Sequence, residues 1–168
     1  MVRDERASDA LAIGAVTQAA FAQAPHSQQT EHHIVGALRM AGALAVSLVA
    51  VRGDAVVGHV AASPVALPDG RAGWFGIGPL SVAPDWQKRG IGTRLMQAAL
   101  QALRAQGAAG AVLLGDPAYY ARFGFAPRSG LVLPGVPAEY FQALVFKGDV
   151  PEGVVTYHPA FGATEAAA

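Results

Sequence analysis

Between Leu80 and Leu100 the sequence reads LSVAPDWQKRGIGTRLMQAAL, an extended apolar run, a Gln-x-x-Gly-x-Gly turn and then a helical repeat. The repeat predicts a helix from about Gly92 to Ala105. Leu95, Met96, Ala99, Leu100 and Leu103 share one face of it, and Arg94, Gln97, Gln101 and Arg104 share the other. Gly107 ends it. A strand that feeds a helix through a glycine turn needs a sheet to leave and a sheet face to cover, so the rest of the chain is read for strands.

ALAVSLVAV and AVVGHVAASPV flank Arg52, Gly53 and Asp54, a hairpin signal between two β-rich runs. After PDGRAG comes the strand WFGIGPLSVAP, and beyond the helix AVLL (111–114) reads as a short buried strand. PAYYARF starts on Pro and stops at Gly124, which predicts a short helix. LVLPG, YFQALVF and GVVTYH read as further strands.

Upstream, Ser8 or Asp9 can cap a first helix ending near Phe21, with Leu11, Ala15, Val16, Ala19 and Ala20 on its apolar side. AQAPHSQQ reads as a loop. Thr30 can cap a second helix with Ile34, Val35, Leu38 and Ala41 as its buried stripe and Gly42 as its stop. The resulting order, β-α-α-β-β-β-α-β-α-β-β, predicts an α+β fold in which a mixed, mostly antiparallel sheet is flanked by helices.

At 168 residues, 52% apolar and 14% charged, the chain suits one globular domain, taken as 1–162, with a tail at 163–168 expected to fray. Its formal net charge of zero argues against a nucleic-acid partner. No apolar stretch approaches the roughly 20 residues of a membrane span, and MVRDERASDA has no signal-like apolar core. With no cysteine to form disulfides, a cytoplasmic location is expected. His32 and His33 are adjacent and cannot share a metal in the i, i+4 manner, so no metal site is expected.

A helix N-terminus leaves backbone N–H groups unpaired and carries partial positive charge, so it can hold a phosphate or pyrophosphate. Gly90 and Gly92 let the backbone approach an anion, and Gln87, Lys88 and Arg89 add donors and charge at the rim. Taken alone, Gly-x-Gly is equally compatible with a plain flexible turn. No Gly-Lys-Ser/Thr follows, so it is not a Walker loop, and the third glycine of a dinucleotide fingerprint is missing. Gly76, Gly78 and Pro79 interrupt the preceding strand and predict a bulge or local opening. Such an opening frees the backbone of Leu80, Ser81 and Val82 for a strand-like ligand that bears amides and ends in a diphosphate. Coenzyme A has that shape.

Val82, Pro84, Gln87, Gly90, Gly92 and Leu95 form Val-x-Pro-x-x-Gln-x-x-Gly-x-Gly-x-x-Leu, which resembles the acetyl-CoA motif of the GNAT superfamily of N-acyltransferases. GDPAYYARFGF resembles that superfamily's closing Tyr-x-x-x-Gly-Phe motif at Tyr120, Gly124 and Phe125. With YFQALVF and YHPAFG, nearly the whole chain is similar to the bacterial YhbS-like subgroup. The resemblance implies a GNAT-like fold and an N-acetyltransferase that moves an acetyl group from acetyl-CoA to a primary amine of a small molecule or peptide.

It further implies that N–H groups from about Arg89 through Gly90, Ile91, Gly92 and Thr93 to Arg94 hold the pyrophosphate. Leu80 and Val82 would pair with pantetheine, and the Val82 N–H would stabilise the oxyanion. Tyr120 matches the position from which family members deliver a proton to sulfur; simple packing beside Phe123 is the alternative. Tyr119 would pack or line the cofactor. Many relatives carry a Glu on the strand before the turn, but WFGIGPLSV offers none. Glu139, His59, His33 and Glu31 therefore stay open as general bases. A noncatalytic acyl-CoA-binding sensor is the alternative function, and exposed strand edges are compatible with a homodimer.

Overall fold

Two hairpin steps build the centre of the fold in the computed structural model, which describes residues 1–25 and 27–164. The tail expected to fray lies outside the described residues from 165 onward. Strand β1 (Val2–Asp4) pairs antiparallel with β2 (Val46–Arg52), β2 with β3 (Ala55–Pro64), and β3 with β4 (Trp74–Val82). Gly53 takes a positive φ of 59° in the β2–β3 turn, a conformation that costs a glycine little. After helix α3 (Ile91–Ala105), β5 (Gly110–Leu114) pairs parallel with β4. Short helix α4 (Pro117–Tyr120) and strands β6 (Ala126–Pro127), β7 (Leu131–Val132), β8 (Phe141–Val145) and β9 (Gly153–Val154) follow. The main sheet runs β1-β2-β3-β4-β5-β8-β6, and β7 and β9 form a small parallel pair beside it.

Helix α3 covers one face. Leu95, Met96, Ala99, Leu100 and Leu103 are buried against Leu48, Val60, Ile77 and Leu113, as the helical repeat predicts. Each large apolar side chain buried this way contributes about 1.5–3 kcal/mol. On the opposite face α1 (Ala10–Phe21) and α2 (Glu31–Met40) pack over β2, through Ile13, Val35, Val49 and Val51.

The expected faces of these two helices need correction. Ile13, Val16 and Thr17 are the buried residues of α1, whereas Ala15 and Ala19 are exposed and Leu11 is 90% exposed. Alanine carries so weak an apolar signal that two sides of this alanine-rich helix look alike in sequence. In α2 the stripe is Ile34, Val35 and Leu38, and Ala41 falls on the exposed C-cap. Asp9 occupies the N-cap of α1, but its carboxylate accepts from the Arg6 N–H and the Arg3 guanidinium instead of the helix.

Candidate active site

Strand β4 pairs with β5 only over Trp74 to Gly76, the last pair being Gly76 with Val112. Beyond that point the strands separate. On its other side β4 keeps pairing with β3, though the register slips between Val60–Leu80 and Ala62–Ile77, so β4 carries an extra residue across Gly78–Pro79. This is the bulge the sequence leads one to expect.

The ladder then decides which backbone groups are available. Ala83 N–H donates to the Val57 carbonyl at 2.8 Å, and Ser81 lies opposite His59. Because alternate residues of an antiparallel strand point to the same neighbour, Ser81 and Ala83 bond toward β3. Leu80 and Val82 turn their amides toward the gap. The Val82 carbonyl there accepts from Gln87 Nε2 at 3.0 Å, leaving its N–H and both main-chain groups of Leu80 facing the opening.

At the end of the gap the chain turns into α3 through Gly90, whose φ is 81°. Arg94 N–H donates to the Gly90 carbonyl at 3.1 Å. Among the described residues, no backbone acceptor meets the N–H groups of Gly90, Ile91, Gly92 or Thr93. A Cβ at Gly92 would lie 3.4 Å from the Tyr119 hydroxyl, which itself sits 3.4 Å from Thr93 Oγ1. Donors and helix polarity thus converge on one point, suited to an anion.

A cavity of about 710 Å³ connects these features. It is bounded by Leu80 to Val82, by Trp86 to Lys88 and Gly90 to Thr93, by Gly115, Asp116, Tyr119, Tyr120 and Arg122, and by Ala20, Phe21 and Ala24 at the end of α1. It therefore threads the sheet, from the start of α3 on one face to the end of α1 on the other. Tyr120 packs its ring against Gly115 so closely that a Cβ there would fall 2.2 Å from it. Burial first, with Tyr119 and Asp116 adding to it, pushes the Tyr120 hydroxyl up to about 12, so it stays protonated at neutral pH.

The profile of the Acetyltransferase (GNAT) family matches residues 15–125. The chain belongs to this family. It is 36% identical to an uncharacterized N-acetyltransferase of Escherichia coli K12, YhbS, over 96% of this chain and 98% of that protein. A GNAT family acetyltransferase from Brucella melitensis, solved in complex with acetyl-CoA, is 47% identical with a TM-score of 0.86, covering 96% of this chain and 97% of the other. The E. coli YhbS structure in complex with CoA is 32% identical with a TM-score of 0.88, covering 99% and 93%. The expected GNAT fold is thereby shown.

Within this GNAT the expected site residues divide. Leu80, Ser81, Val82, Gln87, Lys88, Gly90, Ile91, Gly92, Thr93 and Tyr120 all line the cavity. Arg89 and Arg94 do not. The Arg89 guanidinium lies over the Trp86 ring, 4.9 Å from its centroid, and Arg94 faces a small crevice beside Val2 and Arg52. With its N–H committed to Gly90, Arg94 is also no part of the amide cradle, which ends at Thr93. The Ser81 backbone is paired to β3 and its hydroxyl is buried 3.3 Å from Thr17 Oγ1 of α1.

None of the expected general bases lines the cavity. His59 is wholly buried, with Nε2 2.8 Å from Ser47 Oγ. Ser47 donates its hydroxyl hydrogen to Glu5, which also takes two bonds from Arg39. Ser47 can therefore only accept from His59, which places the imidazole hydrogen on Nε2 and leaves Nδ1 a buried acceptor without a partner. Burial holds the imidazole down to about 4, hence neutral. Glu31 accepts from Ser27, His33 lies in the groove between α1 and α2, and Glu139 sits in the exposed turn before β8. The sequence reading missed Ala20 and Phe21, which reach the site only because α1 packs across the gap. Asp116, the residue before Pro117, carried the signal of a helix cap, and its Oδ1 accepts from the Ala118 N–H.

Proposed function

We propose that this GNAT is an acetyl-CoA-dependent N-acetyltransferase that passes the acetyl group directly to a primary amine of a small molecule or peptide. The observation that carries the reading is the open edge of β4 at Leu80 and Val82, continuous with the unpaired amides of Gly90 to Thr93. A pantetheine arm with two amides and a diphosphate matches that edge and that cradle in order. The relatives solved with acetyl-CoA and CoA support the fit.

Acetyl-CoA supplies an acyl carbon already activated as a thioester. The chain then has to hold it, stabilise negative charge on the attacked carbonyl oxygen and return a proton to sulfur. Val82 N–H is the oxyanion donor, fixed by the ladder before any substrate arrives. Tyr120, protonated and aimed into the cavity, is the proton donor. Lys88 and the amides of Gly90, Ile91, Gly92 and Thr93 hold the pyrophosphate, with Arg89 at the rim. With no cysteine in the chain, no acyl-thiol enzyme forms. A cytoplasmic setting belongs to the same proposal, and so does homodimerisation through an exposed sheet edge.

Thiol release from acetyl-CoA over a panel of amines, with binding measured in parallel, tests this. Turnover supports the transferase. Tight acetyl-CoA binding without turnover, unchanged in Tyr120→Phe, establishes the noncatalytic sensor instead.

A further inference from the structure

The Tyr120 ring rests on Gly115, the residue that directly follows β5. Both main-chain groups of Gly115 are taken from the β8 side. Its N–H donates to the Tyr140 carbonyl at 3.0 Å, one step past the Leu114–Phe141 pair of the ladder, and its carbonyl accepts from Gln142 Nε2 at 3.0 Å. The chain then enters α4 at once. The Asp116 carbonyl accepts the N–H groups of Tyr119 and Tyr120, each at 3.1 Å, and the Asp116 carboxylate accepts from the Ala118 N–H. The Gly115–Asp116 peptide is thus the joint between the sheet and the turn that carries Tyr120, and Gln142 is the side chain bonded to that joint among the described residues.

Gln142 does not match its surroundings. It is 1% exposed, stands opposite Leu113 of β5 and Pro127 of β6, and has buried Phe141 and Ala143 beside it in its own strand. Its Oε1 is buried with no hydrogen-bond partner among the described residues. Burying a half-satisfied amide opposes folding, and an apolar side chain of similar length fills such a position without that penalty. What the amide adds, and Met or Leu would lack, is the bond to the Gly115 carbonyl.

We propose that Gln142 is a positioning residue for the proton transfer: by holding the Gly115 carbonyl it fixes the seat of the Tyr120 ring and the start of α4, and so the line along which the phenol meets the departing sulfur. This rests on the reading of Tyr120 as proton donor and adds the group that aims it. Gly115 and Tyr120 line the cavity and Gln142 does not, so its effect reaches the reaction through them.

Gln142→Met keeps the length of the side chain and removes the N–H. Thiol release from acetyl-CoA is measured with benzylamine, spermidine and an alanyl peptide, and the acceptor that the wild type uses fastest serves for every variant. Calorimetry follows acetyl-CoA binding, and thermal melts follow stability. In Gln142→Met, kcat is expected to fall about tenfold while acetyl-CoA affinity stays within about twofold and the melting temperature within about 3 °C. In the Tyr120→Phe background the same substitution is expected to change kcat by less than about twofold, because the proton it aims is already gone. A glutamine that only supported the fold would add its loss to that of Tyr120→Phe. Gln142→Leu carries the same expectations and serves if Gln142→Met does not fold. Wild-type kcat in a folded variant, an additive loss, a larger drop in affinity or melting temperature, or failure of both variants to fold overturns the proposal while the transferase reading stands. Wild-type kcat in Tyr120→Phe removes Tyr120 as donor, and acetyl-CoA binding without thiol release from all three acceptors removes the transferase reading; either result overturns the proposal as well.

Discussion

In the proposed mechanism Tyr120 can deliver its proton only while its ring stays seated on Gly115. Tyr120→Phe keeps the ring and removes the proton, so kcat should fall about 100-fold with acetyl-CoA affinity nearly constant; stopped-flow thiol release and calorimetry separate the two. Gly115→Ala keeps the proton and displaces the ring, because the added methyl would lie 2.2 Å from it. It should lower kcat comparably and also weaken binding, since Tyr120 and Gly115 both line the cavity. Tyr120 was legible in the sequence because its spacing to Gly124 and Phe125 is a motif. Ser81 was legible only as part of a strand. Which of its groups faces β3 depends on a register that no local pattern encodes.

Among the elements, the ties between β1, α2 and the central strands are ionic and lie away from the cavity. Glu5 follows β1, takes two bonds from Arg39 of α2 and one from Ser47 of β2, and through Ser47 reaches His59 of β3. Burial opposes the charge on Glu5, but the bonds from Arg39 and Ser47 outweigh it and hold the carboxyl below its usual range.

For His59 the folded value, about 4, lies below the ordinary 6.5. The unfolded chain thus takes up a proton first as pH falls, and stability declines from about pH 6.5 down to about 4, by on the order of 3 kcal/mol. Glu5, with a depressed folded value, adds a further loss below about pH 4.5, where the unfolded carboxylate protonates first. Thermal melts from pH 8 to 4 should show this decline. In His59→Gln the part between pH 6.5 and 4.5 should flatten, and an unchanged profile would mean that the histidine is not buried neutral. His59 alternates with Val57 and Ala61 along the sequence of β3, which fits an inward-facing histidine. It could not show its partners, which come from positions 5, 39 and 47.

Across the whole molecule, one arrangement makes the site: a parallel neighbour, β5, that leaves β4 after three pairs, and a helix whose first turn begins where the strand ends. The order of elements and the glycine turn were readable because hydrophobic period and turn residues are local. The α1 side of the cavity was not, because Ala20 and Phe21 come beside β4 only through packing over long sequence separation. Gly92→Asp attacks the arrangement at its join by placing a carboxylate among the free amides. Titration of acetyl-CoA into the wild-type protein and into Gly92→Asp by calorimetry tests the central claim most directly. The account predicts saturable binding at one site per chain and an affinity at least about tenfold weaker in the variant. Absence of heat with the wild type, or equal affinities in two folded proteins, would contradict it.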